Sequence, residues 1–395
     1  MRLRMRWVLS AVALVATAPQ LDAQGRQTGL EFGGVPAINF DADEGFGYGA
    51  VVELYHYGDG SRAPYLWTLQ PTVFLTTEGR QDFTLFFDAP HALPGGWRLD
   101  AYLGSERQLA TPYYGLGNAA VYDAGAVDDL NPYFYRFGRT RRSAALNLQR
   151  PLGDSPLRVL FGMGAVHGSV VSVPYGEGTT LLAQETAAAG APLEDGWSNY
   201  GRAGLVWDTR DRETGPTRGT WTEVLVQRVD EALGSASSYT RWTLTDRRYL
   251  SAGPLVFAHR VLLQGVSEGV PLHDLHRVQT SFKQQEGLGG AKSVRGVQKN
   301  RYVGRGMMLW NAELRYRALD FGLMGKPFHI VLSGFADAGR VWEEGVQIDE
   351  LMSDLHRGYG GGMRIGMGEN FTVAVDAGTS SETGLQLYIG LGYLY

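Results

Sequence analysis

The chain reads as an all-β protein, a transmembrane antiparallel β-barrel of 16 strands. Three observations predict this. Short runs that alternate apolar with polar residues fill most of the sequence, the period of a strand with two unlike faces. Glycine is 54 of 395 residues, with 20 Tyr and 9 Trp, and no apolar run after the first 23 residues approaches a spanning helix. Every second connection is short and rich in Gly or Pro, whereas the remaining ones include all the long ones, as in barrels with tight turns at one rim and loops at the other.

The first residues have the form of a secretory signal. Arg2, Arg4 and Arg6 make a basic start, Trp7 to Ala18 is apolar, and Leu21-Asp22-Ala23 ends in a small residue. Cleavage before Gln24 is expected, the alternative being an anchoring helix. Residues 1–23 are therefore taken as the signal, 24–32 as a short tail and 33–395 as the barrel. Losing that signal takes the net charge from −5 to −7. So acidic a chain is a poor nucleic-acid binder. There is no cysteine, hence neither a disulfide framework nor thiolate chemistry.

Strands are expected near 33–40, 46–56, 64–75, 81–88, 97–106, 138–149, 157–170, 200–209, 220–228, 239–249, 255–265, 307–317, 329–337, 359–366, 370–378 and 385–395. An even count lets an antiparallel sheet close without an edge in lipid. The outer loops are then 107–137, 171–199, 266–306 and 338–358. The segment 318–328 is long for a turn at the opposite rim. Between Leu309 and Arg317, Asn311, Glu313, Arg315 and Arg317 fall on the lumen side, with Leu309, Ala312, Leu314 and Tyr316 read as the apolar set. In the last strand Leu387, Ile389, Leu391, Tyr393 and Tyr395 are expected to face lipid, the two tyrosines in an interfacial girdle. A soluble β-sandwich also alternates and is the competing fold.

One arginine stands out. Leu288-Gly289-Gly290-Ala291-Lys292-Ser293-Val294-Arg295-Gly296 places it on a glycine-rich loop segment, and Phe335-Ala336-Asp337-Ala338-Gly339 follows on a strand. Phe335 and Asp337 share strand parity, and Glu313 has lumen parity one strand earlier. A loop folded into the lumen would set Arg295 against both carboxylates. A solvated Arg295 with no partner is equally compatible with the spacing.

Five segments, in order, carry a family resemblance. They are Pro36 with Gly45-Phe46-Gly47-Tyr48-Gly49, then Trp207-Asp208-Thr209-Arg210-Asp211 with Pro216-Thr217-Arg218-Gly219. Next come the Leu288–Gly296 segment and Phe335–Gly339. The last is Tyr388 to Tyr395, with Gly390, Tyr393 and Tyr395. Together they resemble the BamA/TamA-type outer-membrane barrels, the bacterial surface antigen superfamily, over essentially the whole mature chain. The resemblance implies a sixteen-strand barrel whose long sixth outer loop is folded into the lumen. It implies a loop arginine meeting the aspartate of F-x-D-x-G and an acidic residue on the intervening strand: Arg295, Asp337 and Glu313. Gly289, Gly290, Val294, Gly296, Phe335 and Gly339 belong to the same motifs. It further implies a weakly paired seam between the first strand, near Ile38, and the last, with Tyr388 to Tyr395 as a C-terminal insertion signal. Tyr388 departs from the family at a polar position. No POTRA domain, the family's periplasmic substrate-capture module, is expected between Gln24 and Gly33.

Other chemistry is weaker. His273-Asp274-Leu275-His276 has a loose metal spacing but is expected to be a solvated outer-loop segment. No G-x-S-x-G elbow occurs, and no enzymatic role or cofactor is implied. Asp208, Arg210, Asp211 and Arg218 suggest a structural ion-pair network. The expected role is assistance to insertion or translocation of proteins, or handling of lipids, at the outer membrane. The expected partners are outer-membrane lipid, an unfolded client protein or lipid, and a periplasmic partner or chaperone supplying it. The alternative is a passive channel or structural barrel.

Overall fold

The structure, a computed structural model, describes residues 15–16, 20–21, 27–41, 45–77, 79–129, 131–172, 179–190, 194–281, 285–323, 326–368 and 370–395. Sixteen strands of six or more residues form one antiparallel meander. The first half comprises β1 (Gln27–Asp41), β2 (Gly45–Gly58), β3 (Trp67–Thr76), β4 (Gln81–Leu93), β5 (Trp97–Pro112), β6 (Arg136–Pro151), β7 (Leu157–Val171) and β8 (Asp195–Asp208). The second comprises β9 (Gly219–Val229), β10 (Tyr239–Ala252), β11 (Leu255–Val266), β12 (Gly306–Leu323), β13 (Lys326–Trp342), β14 (His356–Met367), β15 (Phe371–Ser380) and β16 (Gln386–Leu391). Each pairs with the next.

The alternation that predicts the strands also sorts their faces. On β9, Trp221, Glu223, Leu225, Gln227 and Val229 are buried in the lumen, whereas Val224 and Val226 point out. Exposed Leu205, Leu244, Val261 and Leu314 continue that outer band around the wall, where lipid takes the place of water. Trp67, Trp97 and Trp207 stand at the periplasmic ends of their strands, as interfacial aromatics do.

Strand boundaries depart from expectation where the strands run past the bilayer. β1 begins at Gln27, inside the stretch read as a tail. β12 and β13 extend to Leu323 and from Lys326, which lie opposite each other, so most of 318–328 is paired strand and not a long connection. Leu309 is buried on the lumen side with Asn311 and Glu313, not in the lipid-facing set. It is apolar there because it meets Leu262, Leu288, Val294, Val297 and Met307 in a cluster beneath the sixth loop.

The described part of the sixth loop, 267–281 and 285–305, folds into the barrel. It carries the one-turn helix α2 (Leu272–Leu275; a longer α1, Leu181–Ala189, lies in an earlier loop). His273, Asp274 and His276 are buried, not solvated. Asp274 accepts from Tyr239 at 2.6 Å, Arg241 at 3.0 Å and Arg277 at 2.8 Å. The segment is drawn in because those lumen cations and the tyrosine hydroxyl satisfy its carboxylate.

At the periplasmic mouth, the turn 209–218 folds under the barrel. Arg210 pairs with Asp208 at 2.9 Å and lies over the Trp221 ring. Asp211 accepts from Thr217 N at 2.9 Å and from Arg218 N at 3.2 Å. Arg98 on β5 bridges Asp88 at 2.6 Å and Glu213 at 2.8 Å. Burial pushes the Glu213 carboxyl up, but the Arg98 guanidinium more than reverses this, leaving it at about 2. The contribution of this tether is therefore complete above pH ~4.5 and fades as pH falls towards 2.

The chain end also corrects an expectation. β16 stops at Leu391, and Gly392 takes a left-handed φ of 73°. Tyr393 and Tyr395 then turn into the lumen rather than into a lipid-facing girdle. Tyr395 Oη donates to Ala258 O at 2.9 Å, and the Arg315 guanidinium lies 4.5 Å from the Tyr393 ring centre and 5.4 Å from that of Tyr395. A cation and a free carbonyl offer the two tyrosines more than a lipid interface would.

Two glycines at this end should behave differently. At Gly392 a β-branched residue meets a backbone conformation costing it about 1–3 kcal/mol, whereas a Cβ at Gly390 meets open space. Gly392→Val is expected to lower the temperature at which the folded barrel loses its compact gel mobility, and Gly390→Val to leave it unchanged. Equal behaviour of the two would count against the inward turn.

Candidate functional site

The site is built from one loop residue and three strands. The Arg295 side chain is fully buried. Its Nε and Nη2 donate to Asp337 Oδ2 and Oδ1 of β13 at 2.7 and 3.0 Å, and its backbone N donates to Oδ2 at 3.1 Å. Nη1 donates to Glu313 Oε1 of β12 at 2.6 Å and to Asp376 Oδ2 of β15 at 3.3 Å. The guanidinium carbon sits 3.5 Å from the centre of the Phe335 ring. One planar cation thus reaches carboxylates on three strands while stacked on an aromatic face, which a lysine cannot do.

Strand register makes this convergence. Phe335 lies opposite Glu313 and Asp337 opposite Asn311 on the β12–β13 pair, all with lumen parity. Asn311 donates to Ser293 O at 2.6 Å and to Asp337 at 2.8 Å, and accepts from Arg260. Arg315 pairs with Glu313 and Arg364 with Asp376. The carboxylates are thus held between the loop cation and wall cations, so little of their charge is left uncompensated.

The glycines admit the loop to this depth. Gly296 has φ 96°, and a Cβ there would lie 2.4 Å from the Thr379 backbone of β15. A Cβ on Gly358 of β14 would lie 1.8 Å from Arg295 O, and one on Gly339 would lie 2.8 Å from the Leu288 side chain. Gly289 and Gly290 also have positive φ, in the turn closed by Gly289 N donating to Ser293 Oγ. Val294 is buried in the cluster that includes Leu288.

The structure brings Arg295, Asp337, Glu313, Phe335 and the motif glycines into one place. It adds Tyr388, whose hydroxyl accepts from Gly296 N at 3.0 Å. This polar position on the last strand therefore contacts the loop. Gly390 lies on the same strand away from the cluster, and Ile38 pairs with Tyr48 on the far side of the seam. Tyr393 and Tyr395 belong to the mouth. Sequence reasoning missed Asp376, Asn311, Arg260 and Arg364. A signal for Asp376 was present, because the triplet Asp-Ala-Gly occurs at 123, 337 and 376. The expected ranges separate the loop copy at Asp123 from the two strand copies, but only the fold brings Asp376 to Arg295.

This combination defines a class: an outer-membrane β-barrel whose sixth outer loop is anchored to the inner wall by an arginine. The Omp85 superfamily domain matches residues 72–384, and the chain belongs to that superfamily of protein insertion and translocation barrels. Among solved structures, the fold is similar to that of BamA from Haemophilus ducreyi lacking POTRA domains 1–3, at 14% identity and TM-score 0.55, covering 97% of this chain and 75% of that one. It is also similar to CdiB from Escherichia coli, at 13% identity and TM-score 0.57, covering 98% and 68%. At such identities the likeness is one of fold. No curated protein sequence matches the chain.

Removing the guanidinium would leave three buried carboxylates short of their shared partner, a loss of about 3–5 kcal/mol when a buried pair is broken. Arg295→Ala is expected to leave a barrel that assembles but whose loop 267–305 is cut faster in limited proteolysis. Arg295→Lys should not restore protection, since an ammonium cannot span three strands. Wild-type cleavage rates in both variants would contradict the clasp.

Proposed function

We propose that the chain assists the insertion or translocation of client proteins at the outer membrane by offering the edge of β1 to an incoming strand. The observation that carries this is the seam. The strands that would close the ring are unequal. β1 has 15 residues and β16 only 6, so most of the β1 edge would lack a partner even in a fully zipped seam. The two ends of the sheet also meet through side chains, Val35 packing with Phe371 and Val373, and Asn370 donating to Tyr57.

A free antiparallel edge supplies main-chain donors and acceptors regardless of client sequence, the basis of β-augmentation. The β1 edge has this competence: Val15–Ala16 pair with Gly34 and Gly33, and Gln20–Leu21 with Thr28 and Gln27. These pairing residues fall within the proposed signal, so its removal would vacate the edge. A cavity of about 990 Å³, lined by Glu31, Tyr57, Arg62, Lys326 and Phe371 among others, opens beside β1 at the periplasmic rim and gives a client segment room to approach. The clasp is proposed to hold the lumen filled, so that passage runs along the seam and not through the pore. A periplasmic partner or chaperone is proposed to deliver the client.

A disulfide engineered between β1 near Ile38 and β16 near Ile389 tests this cleanly, because the chain has no other cysteine. In liposomes, the protein should accelerate folding of a test barrel. The oxidised variant should lose that acceleration and the reduced one regain it. Undiminished activity in the oxidised form would sink the proposal, and ordinary ion conductance without any acceleration would favour a passive channel.

A further inference from the structure

The outer wall between β3 and β8 carries a groove that the seam and the clasp do not use. It has a volume of about 600 Å³ and is lined largely by apolar side chains. Its floor is made of small residues on adjoining strands, Ser105, Ala144 and Ala165. One bank carries Phe83 and Leu103, and the other carries Trp197. Strand register places Phe83, Ser105, Arg142, His167 and Trp197 in a single row across five strands. Trp197 is held upright by an edge-on contact with His167, which in turn pairs with Asp195 at 3.2 Å.

Arg142 closes one end of this groove. It has outward parity on β6, between Arg141 and Ser143, which face the lumen. Arg107, outward on β5, is its diagonal neighbour, since Arg142 lies opposite Ser105 and Arg107 opposite Thr140. Among the described residues neither guanidinium has a hydrogen-bond or ion-pair partner. Other outward arginines differ: Arg228 pairs with Asp230 and Arg248 with Asp246.

Depth identifies the ligand. Arg142 lies nine residues from Pro151 and Arg107 ten from Trp97, the periplasmic ends of their strands. At about 3.3 Å per residue and a tilt of roughly 40°, that is about 23–25 Å of height. The apolar band of such a barrel is ~25 Å tall. The two cations therefore stand at the outer headgroup level, while the groove descends from them into the hydrocarbon.

We propose that this groove is a specific site for a phosphorylated, multiply acylated lipid of the outer leaflet. One acyl chain lies on the Ser105–Ala144–Ala165 floor between Leu103 and Trp197. The phosphate accepts charge-assisted hydrogen bonds from Arg142 and Arg107, the geometry in which guanidinium groups bind phosphate best. No covalent step is involved. The site would fasten the β3–β8 wall to the outer leaflet, leaving motion at the seam.

The test uses the full chain in detergent and counts retained lipid by native mass spectrometry. The probes are bis-phosphorylated lipid A and the same lipid with both phosphates removed. Wild type is expected to retain one lipid A at a concentration at least tenfold below that needed for the dephosphorylated lipid. Arg107→Gln/Arg142→Gln should remove the tenfold preference. Ala144→Trp, which fills the floor, should weaken retention of both lipids. Arg228→Gln should change nothing. Unchanged gel mobility of each folded variant separates lost binding from lost fold, and Arg142→Gln alone serves if the double variant does not fold. Equal retention of the two lipids by wild type, full retention by Ala144→Trp, or equal loss in Arg228→Gln would each overturn the proposal.

Discussion

The structure turns on one guanidinium. Arg295 is the point where a loop, three strands and an aromatic ring meet, and its three carboxylate partners face the lumen on β12, β13 and β15. Carboxylates gathered this closely repel one another, so the wall around them depends on cations placed between them. Arg315 and Arg364 supply part of that charge from the wall itself. Arg295 supplies the rest from the loop, which ties the shape of the barrel to the position of that segment.

The lumen consequently does the work that a hydrophobic core does elsewhere. Outside, apolar side chains meet lipid and gain nothing by packing on one another. Inside, the fully buried side chains are as often arginine as leucine: Arg139, Arg241, Arg260, Arg295 and Arg364 stand beside Leu160, Leu225 and Leu262. The apolar cluster around Leu288, Val294 and Leu309 lies where loop meets wall, so hydrophobic burial and the ion network both hold the loop against the wall. Together they give a lumen filled by the loop in place of an open one.

The filled lumen on one side sets off the seam on the other. Among the described residues fifteen neighbouring strand pairs carry ladders, and where the ends of the sheet meet, Val35 of β1 packs on Phe371 of β15. Tyr388 binds the loop at Gly296, and the chain beyond Gly392 packs at the mouth. The last strand is thus held from the lumen side, and it spans only 6 residues against the 15 of β1. That asymmetry is what the proposed use of the β1 edge requires.

Much of this was legible in the sequence because strand parity is a local property. Alternation marked the sixteen strands, and it placed Phe335, Asp337 and Glu313 on one face before any fold was known. The family motifs then paired them with Arg295. What failed had non-local causes. The lengths of β12 and β13 depend on their mutual pairing as far as Leu323 and Lys326. The burial of His273 and Asp274 depends on Arg241, a strand away in space. The inward turn of Tyr393 and Tyr395 depends on Arg315 and Ala258 waiting inside. By itself the sequence determined the strands and most of their faces, since these rest on residue type at a period of two, whereas the clasp was read from the family motifs. Only the tertiary structure decided which groups complete the clasp, where Tyr393 and Tyr395 turn and how unequal the seam strands are, because those follow from register and closure around a lumen that no local pattern encodes.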